Sequence, residues 1–402
     1  MTMNYNEKTY ALGSKRSVIR EIFEYAKSRA AVVGADKVYD FSLGNPSLPA
    51  PDEVNEAIRE LLCEKSSVAL HGYTSAQGDA GVRATIAENI KERFGVDMPA
   101  DLLYMTCGAA ASLSICLKAV VTEGAGDEVI VFAPFFTEYR VFIENAGAKL
   151  VMSKPEEGTL QIDIADFKEK LSDKTRAVII NSPNNPSGVV YSEATVKALC
   201  EVLKEKSAKL GRPIYLITDE PYRELVYSGV EVPYLMNYYD DTLVCYSYSK
   251  SLSLPGERIG YIAVSPKMTD AKTIYLSVCG AGRSLGYVCA PSLFQQVIAR
   301  CINAKVNVEA YDENRTLLYD ALTSYGYDCV KPDGAFYLFV KTPEPDAYAF
   351  FERAKAYDIL VVPCNDFGVE GYVRVAYCTA RATVEGALPG FKKLAEEYGI
   401  LK

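Results

Sequence analysis

Three polar motifs follow apolar, strand-like runs and carry side chains that could take part in catalysis. They are Asn181-Ser-Pro-Asn-Asn-Pro-Ser-Gly188 after the run 177–180, Asp219-Glu-Pro-Tyr222 after 214–218, and Ser247-Tyr-Ser-Lys250 after 243–246. Together they supply an amide, a carboxylate and an amine. Because open α/β sheets bind ligands beyond the carboxyl ends of their strands, these groups are predicted to meet in one site.

A fourth motif, Cys107-Gly-Ala-Ala110, follows the run 102–106 and precedes a helical pattern. Small residues at a helix start let backbone N–H groups approach a phosphate closely. The motif therefore predicts a phosphate cradle without a P-loop lysine, although helix packing alone could also explain its composition.

Seven apolar runs that alternate with helical patterns predict the elements that position these motifs. The runs are 102–106, 128–133, 149–152, 177–181, 214–218, 243–247 and 259–264. Helical connections between strands favour parallel pairing with helices on both faces. The sequence thus predicts an α/β fold with a doubly wound, mainly parallel, seven-stranded sheet in a large domain at 49–290.

The helix that opens this domain, from about residue 52, is predicted to bury one face. That face consists of Val54, Ala57, Ile58, Leu61 and Leu62. The residues before the domain, 1–48, are predicted to form an N-terminal arm and part of a smaller domain, with a helix at 16–33.

The pattern changes after Pro291, where a smaller α+β domain at 291–402 is predicted. It begins with one long helical stretch to about Tyr325. Strands at 335–340 and 372–377 follow, and a helix from about Thr383 closes the chain.

Composition excludes several function classes. The 402 residues contain 52 acidic and 43 basic side chains, for a net charge of -9, which opposes binding to nucleic acid and to anionic membranes. No secretory signal is recognisable, and no run approaches the roughly 18 apolar residues of a membrane span. Eleven scattered cysteines and the single His71 show no metal-ligand spacing. A reduced, cytoplasmic protein without structural metal is predicted.

The motifs, taken in order, resemble those of class I/II aminotransferases, which are aspartate aminotransferase-like pyridoxal-phosphate enzymes of fold type I. The resemblance rests on Asn184-Asn-Pro-Ser-Gly188, Asp219-Glu-Pro-Tyr222, and Ser247-x-x-Lys250 followed by Arg258. It extends from Leu43-Gly-Asn-Pro46 to Tyr372-Val-Arg374. It implies pyridoxal 5′-phosphate as cofactor and amino-group transfer from an L-amino acid, aspartate or another dicarboxylic or aromatic one, to a 2-oxo acid such as 2-oxoglutarate.

The resemblance assigns the catalytic roles to three residues. Lys250 would condense with the cofactor aldehyde and then move protons at the substrate α-carbon. Asp219 would pair with the protonated ring nitrogen, which keeps the ring electron-withdrawing. Tyr222, together with Asn185, would donate hydrogen bonds to the phenolate oxygen of the ring.

Other positions would hold the rest of the cofactor. By resemblance, the phosphate would be bound by Ser247, Arg258 and the backbone of Gly108, Ala109 and Ala110. Tyr73 matches a tyrosine that reaches the phosphate of the neighbouring subunit, which implies a homodimer with shared sites. Phe136 matches the aromatic residue that stacks on the ring.

Substrate contacts are implied in the same way. Arg374 would clamp the α-carboxylate, assisted by the backbone of Gly44 and the amide of Asn185. Arg283 lies close to where aspartate aminotransferases carry an arginine for the side-chain carboxylate, with the spacing off by one residue. An ordinary surface arginine is an equal alternative.

Two rival functions use the same fold. A pyridoxal-phosphate carbon–sulfur β-lyase would keep every cofactor residue and release ammonia and pyruvate, so the motifs leave it open. A transcriptional regulator that carries this fold would need an added DNA-binding domain and a basic face, which the acidic composition disfavours.

Overall fold

The structure, a computed structural model, describes residues 5–14, 18–227 and 229–402. The chain divides into two compact units. We call residues 48–308 and 332–335 the large unit, and residues 1–47, 309–331 and 336–402 the small unit.

The described residues form α-helices and β-strands that we number in chain order. The helices are α1 Glu7–Ser14, α2 Val18–Val33, α3 Asp52–Glu64, α4 Ser67–His71, α5 Ala80–Phe94, α6 Ala109–Val120, α7 Glu138–Asn145, α8 Ile164–Lys170, α9 Glu193–Leu210, α10 Tyr248–Ser251, α11 Ala271–Ser284, α12 Ser292–Arg300, α13 Val308–Ser324, α14 Ala347–Lys355 and α15 Arg381–Glu397. The strands are β1 Tyr39–Asp40, β2 Leu103–Thr106, β3 Glu128–Phe132, β4 Lys149–Ser153, β5 Thr175–Asn181, β6 Tyr215–Asp219, β7 Thr242–Ser247, β8 Gly260–Val264, β9 Asp328–Val330, β10 Tyr337–Lys341, β11 Ile359–Leu360, β12 Val362–Pro363 and β13 Tyr372–Ala376.

The large unit contains a seven-stranded sheet of order β2-β8-β7-β6-β5-β3-β4. The pairs among β3, β4, β5, β6 and β7 are parallel, while β8 runs antiparallel to both of its neighbours. The predicted mainly parallel, seven-stranded α/β fold is therefore confirmed. The reversed direction of β8 places its first residue, Gly260, at the edge where β2 and β7 end.

Helices cover both faces of this sheet because alternate strand residues point to opposite sides. On one face, Ile130 and Val178 share a buried cluster with Phe167 of α8 and Leu199 of α9. On the other face, α6 packs against β6, β7 and β8. The sheet is thus buried between two helical layers, as doubly wound folds require.

Helix α3 buries most of its predicted face. Val54, Ala57 and Leu61 are buried, but Leu62 is 56% exposed, so its assignment to the core was wrong. Since successive residues are separated by about 100° around a helix, Leu62 lies at the margin of the face that buries Leu61.

The small unit has an antiparallel sheet of order β12-β13-β10-β9 and a parallel pair, β1 with β11. Helix α2 buries Ile22 and Ala26, and α14 and α15 pack together. The predicted start of the first helix at residue 16 lies outside the described residues.

The region after Pro291 differs from the predicted single helical stretch. Helices α12 and α13 are separate, with non-helical backbone from Cys301 to Asn307 between them. Because α12 packs against α3 and α5, it groups with the large unit, and the division falls at Val308 instead of at 290.

The strand predicted at 335–340 is β10, which begins only at Tyr337. Ala335 has a φ of 56° and donates a backbone hydrogen bond to the carbonyl of Leu225 at 2.8 Å. This contact ties residues 332–335 to the large unit.

None of the helices in the described ranges is long and apolar enough to cross a membrane.

Candidate active site

Asp219, the last residue of β6, lies buried at the carboxyl edge of the large sheet, with 5% of its surface exposed. Its Oδ2 accepts a hydrogen bond from the hydroxyl of Tyr139 at 2.6 Å. Its backbone carbonyl accepts one from the Asn181 amide at 2.8 Å. The strand register places Asn181 and Asp219 side by side.

The second carboxylate oxygen of Asp219, Oδ1, is also buried, and none of the described residues forms a hydrogen bond with it. Burial raises the pKa of Asp219 to about 7, although the Tyr139 hydrogen bond opposes this shift. A buried anion without a counterion is unstable, and a cationic hydrogen-bond donor at Oδ1 would relieve it.

Asn185 and Tyr222 are positioned by the same strand ends. The backbone N–H of Asn185 donates to Oδ1 of Asn181 at 2.7 Å, which holds the loop after β5 against β6. Tyr222, in the turn after Asp219, is 5% exposed. Asn181 therefore positions both Asp219 and Asn185, whereas the sequence predicted only that the motif it begins would lie near the site.

Tyr139 is the main site residue missed from the sequence. Its backbone N–H donates to the carbonyl of Phe136 at 3.0 Å, and the two rings meet edge to face with centroids 5.7 Å apart. Phe136 is half-buried and Tyr139 fully buried. The available signal was a second aromatic residue one turn after Phe136, since residues at that spacing share a helical face.

The residues around Asp219 form one corner of the candidate site. A second corner lies at the same edge of the sheet, where β2, β7 and β8 meet. Gly260 pairs with Thr106 of β2 and with Ser247 of β7. A side chain at Gly260 would collide with the carbonyl of Tyr246 and would lie 3.2 Å from the Cα of Gly108. Only glycine allows these three backbone segments to approach so closely.

This corner has the features of an anion site. Gly108 caps α6 with a φ of 89°, and a Cβ there would lie 3.0 Å from Nη2 of Arg258. Arg258 is held by a hydrogen bond from Nη1 to the carbonyl of Pro255 at 3.0 Å. The first residues of α6, Ala109 and Ala110, are half-buried. A guanidinium therefore faces a helix N-terminus, and both attract anions.

Lys250 sits on α10, directly after β7. Ser247 caps this short helix by accepting a hydrogen bond from the Ser249 N–H at 3.2 Å, and the two hydroxyls are 2.7 Å apart. Lys250 itself is half-buried. The cap fixes the start of α10 directly after β7 and thereby the position of Lys250. Ser249 is a further polar residue that the sequence did not single out.

Two predicted site residues face outward from this chain. Tyr73, just after α4, is 98% exposed. Arg283, in the last turn of α11, is also exposed. Among the described residues of this chain, no hydrogen bond or ion pair links either of them to the site residues named above.

In the small unit, Arg374 of β13 is only 2% exposed. Its Nη2 donates to the carbonyl of Ser42 at 2.6 Å, and its guanidinium lies over the rings of Tyr337 and Phe367, at 4.6 and 5.5 Å from their centroids. The backbone of Gly44 lies against the hydroxyl of Tyr337. These contacts fix the orientation of the planar Arg374 guanidinium next to the loop that contains Gly44.

Comparisons with known proteins agree with this geometry. Residues 36–389 match the family profile described as Aminotransferase class I and II. A crystal structure of an aminotransferase from Eubacterium rectale superposes with a TM-score of 0.97 and 56% identity, covering 98% of this chain and 99% of that one. The aspartate aminotransferase of Thermotoga maritima is 30% identical over 372 residues, 90% of this chain and 93% of that protein. Aromatic-amino-acid aminotransferase 2 of Thermococcus litoralis is 27% identical over 398 residues, 95% of this chain and 96% of that protein.

This chain belongs to the class I and II aminotransferase family. It is an enzyme, a pyridoxal-phosphate-dependent transaminase with the α/β fold that the sequence predicted.

The residues of this aminotransferase fit the cofactor at two independent points. The unsatisfied Oδ1 of Asp219 suits a protonated ring nitrogen. The close approach of Gly108 to Arg258 at the start of α6 suits a phosphate. Buried polar atoms are normally hydrogen-bonded, and a cationic donor on the bound cofactor would supply the partner that Oδ1 of Asp219 lacks among the described residues.

Proposed function

We propose that this aminotransferase moves the amino group of an L-amino acid, with aspartate as the first candidate and aromatic amino acids next, to a 2-oxo acid such as 2-oxoglutarate. The substrate class is supported by the relatives named as aspartate and aromatic-amino-acid aminotransferases. The observation that carries the site assignment is the buried, unpartnered Oδ1 of Asp219 at the carboxyl edge of the sheet.

The bound cofactor supplies an aldehyde for covalent attachment and an electron-poor ring that accepts the electrons released at the substrate α-carbon. Lys250 provides the amine for attachment. Once a substrate has displaced it, Nζ of Lys250 would be the base that takes the α-proton and passes it on within the same half-reaction. In the second half-reaction it would deliver a proton to the α-carbon derived from the incoming oxo acid.

The other cofactor residues would bind the cofactor and adjust the electronic properties of its ring. Asp219 would keep the ring nitrogen protonated, while Tyr222 and Asn185 would donate to the ring oxygen. Phe136 would pack against the ring. Ser247, Arg258 and the backbone N–H groups of Gly108, Ala109 and Ala110 would bind the phosphate.

Substrate selection begins at the α-carboxylate. Arg374 has a fixed guanidinium, which suits a bidentate pair with a carboxylate, and Gly44 and Asn185 add hydrogen bonds to it. Arg283 reads a side-chain carboxylate when the substrate is dicarboxylic. Because it is exposed on its own chain, it acts across a subunit interface.

The active enzyme is a homodimer in the cytoplasm, with Tyr73 reaching the phosphate bound by the neighbouring subunit. The 98% exposure of Tyr73 supports this arrangement, since it leaves the side chain accessible to a neighbouring subunit. Mixing Tyr73→Ala with Lys250→Ala should restore activity, because each mixed dimer contains one site with an intact Lys250 and an intact Tyr73. No gain on mixing would contradict a shared site.

The decisive experiment is a half-reaction. The cofactor-loaded enzyme is mixed with aspartate, alanine, tyrosine and cystathionine separately, and the cofactor absorbance and the products are followed. One equivalent of oxo acid per subunit, with aspartate or tyrosine fastest, is the expected result. Continued release of ammonia and pyruvate with an unchanged cofactor band would instead make the enzyme a β-lyase.

Two variants distinguish the proposed roles of Arg374 and Arg283. Arg374→Ala should raise KM for every amino acid, whereas Arg283→Ala should lower turnover of aspartate relative to tyrosine. Arg59→Ala, which removes another exposed arginine of the large unit, is the control. An unchanged aspartate-to-tyrosine ratio in Arg283→Ala would exclude its role in side-chain recognition.

A further inference from the structure

Two buried hydroxyl groups lie against the backbone of the helix start that is proposed to bind the cofactor phosphate. Thr106, the last residue of β2, is 1% exposed, and Ser112 of α6 is 0% exposed. Their side-chain oxygens are 2.7 Å apart. Because burying a hydroxyl without a hydrogen bond costs free energy, each of these groups needs partners at this corner.

The two hydroxyls converge on the carbonyl oxygen of Gly108. Oγ of Ser112 lies 3.2 Å from this oxygen, and Oγ1 of Thr106 lies 3.4 Å from it. The carbonyl also accepts the first helical bond of α6, from the Ser112 N–H at 3.1 Å. Whichever hydroxyl donates to the other, the second one still has its proton for the Gly108 carbonyl.

The Gly108 carbonyl shares a peptide unit with the Ala109 N–H, since each peptide bond joins the carbonyl of one residue to the N–H of the next. The first N–H groups of a helix have no partner within it, and that of Ala109 is among the proposed phosphate donors. Hydrogen bonds in a chain polarise one another. Donation to the carbonyl therefore makes the Ala109 N–H a stronger donor to an anion.

The same contacts hold Gly108 in place. Its φ of 89° is a conformation that glycine adopts readily, but glycine has no side chain to anchor it there. The hydroxyl pair links its carbonyl to β2 through Thr106 and to α6 through Ser112. It thereby helps to fix the helix start against Arg258, whose Nη2 would lie 3.0 Å from a Cβ at Gly108.

We infer that Thr106 and Ser112 are positioning residues for the cofactor phosphate. They contact the Gly108 carbonyl and act on the phosphate through the N–H of Ala109. This inference rests on the proposed phosphate site. Loss of the hydroxyls should weaken binding of the phosphate group and leave binding of the rest of the cofactor unchanged.

Pyridoxal, which lacks the phosphate, isolates this effect. The full chain is freed of cofactor, and its affinities for pyridoxal 5′-phosphate and for pyridoxal are measured by absorbance titration. The ratio of the two affinities is the phosphate preference. The double variant Thr106→Val/Ser112→Ala should lower this ratio by about three- to tenfold, the loss typical of one neutral hydrogen bond, with the affinity for pyridoxal unchanged.

Single variants show which group is responsible. Ser112→Ala alone should lower the ratio less than the double variant, because Thr106 can still donate to the Gly108 carbonyl, and it provides the test if the double variant does not fold. Thr106→Ser keeps the hydroxyl and should retain the ratio of the parent enzyme.

Ser114→Ala is the matched control within the same helix. The Ser114 hydroxyl donates to the carbonyl of Ala110 at 2.9 Å, again four residues earlier in the chain. That carbonyl shares a peptide unit with Ala111, which is not among the proposed phosphate donors. This variant should therefore keep the ratio of the parent enzyme.

An unchanged ratio in the double variant would overturn the inference. Equal losses of affinity for both ligands would also overturn it, because they would show a general effect on the fold of this corner. Arg258→Ala distinguishes this failure from failure of the proposed phosphate site. If Arg258→Ala leaves the ratio unchanged, the phosphate binds elsewhere. If it lowers the ratio and the hydroxyl variants do not, only the role of Thr106 and Ser112 is lost.

Discussion

Two consecutive carboxylates, those of Asp219 and Glu220, lie on opposite faces of the sheet at the end of β6. Both are buried, but they differ in their hydrogen-bond and ion-pair partners. Asp219, on the face that carries the candidate site, has one oxygen bonded to Tyr139 and the other unpartnered. Glu220 is 1% exposed, yet it is fully provided with partners. It accepts from the hydroxyl of Thr218 at 2.8 Å and forms an ion pair with the buried guanidinium of Arg223.

The surroundings of Arg223 complete the contrast. Its remaining nitrogens donate to the carbonyls of Val232 and Pro233 at 3.0 and 3.1 Å. The guanidinium also lies over the stacked rings of Phe94 and Tyr234. Glu220 and Arg223 both have protein partners, so this ion pair is structural. Asp219 lacks one, which marks the other face as the place where a ligand binds.

The largest expected effect comes from breaking the structural pair. Arg223→Ala leaves Glu220 buried without its cation and should lower the free energy of unfolding by about 3–5 kcal/mol. Urea unfolding of the cofactor-free protein would measure this loss. The double variant Glu220→Gln/Arg223→Met should recover part of it, because no lone charge is left buried. A loss below about 1 kcal/mol, the value of an exposed pair, would contradict the contrast.

Removing the charge on the other face should act on catalysis instead. Asp219→Asn cannot keep the ring nitrogen protonated and should lower kcat/KM by on the order of a hundredfold, since a charged hydrogen bond contributes about 1.5–3 kcal/mol. Steady-state kinetics at saturating cofactor would measure it. Near-normal turnover in Asp219→Asn would show that the Asp219 carboxylate is not required for catalysis.

The sequence predicted the large sheet well because its strands are short apolar runs separated by strong helical patterns. Each predicted strand lies within two residues of the observed one, as at 214–218 and β6. The site motifs were found for the same reason, since they follow directly where a strand ends. These are local signals, readable without knowledge of the fold.

What the sequence missed depends on contacts between distant segments. Tyr139 and Asp219 meet only because β3 and β6 lie in one sheet on either side of β5. The gap between α12 and α13 has helix-compatible residues, and the packing of α12 on α3 decides which unit it joins. The burial of Arg223 has no local signal either, because the rings of Phe94 and Tyr234 that it contacts come from other segments of the chain.

The unpaired state of Asp219 should also appear in the pH dependence of the cofactor-free enzyme. Its pKa is about 7 in the folded protein against 3.8 for the ordinary group, so the folded state holds its proton more tightly. Stability contributed by this group is present at low pH and is lost as pH rises toward 7.

Relative to Asp219→Asn, the cofactor-free parent should therefore lose about 2 kcal/mol of unfolding free energy between pH 5 and pH 7. Urea unfolding of both proteins across this range would measure the difference. A parent that gains stability relative to the variant as pH rises would show that Asp219 already has a cationic partner within the protein.

The smallest expected effect concerns Tyr139, which among the described residues is the hydrogen-bond partner of the Asp219 carboxylate. Tyr139→Phe removes a hydrogen bond that lowers the pKa of Asp219, so the acid limb of the kcat/KM profile should move to higher pH. The maximum should fall by roughly three- to tenfold, the loss expected for one hydrogen bond of about 1 kcal/mol.

Tyr239→Phe is the matched control, because its buried hydroxyl also donates a hydrogen bond, to the carbonyl of Ile214 at 2.8 Å, far from the strand ends that form the site. It should lower stability without moving the pH profile. If both variants leave the profile in place, Tyr139 supports the fold in the same way as Tyr239. The two faces of β6 would then differ only at Asp219 itself.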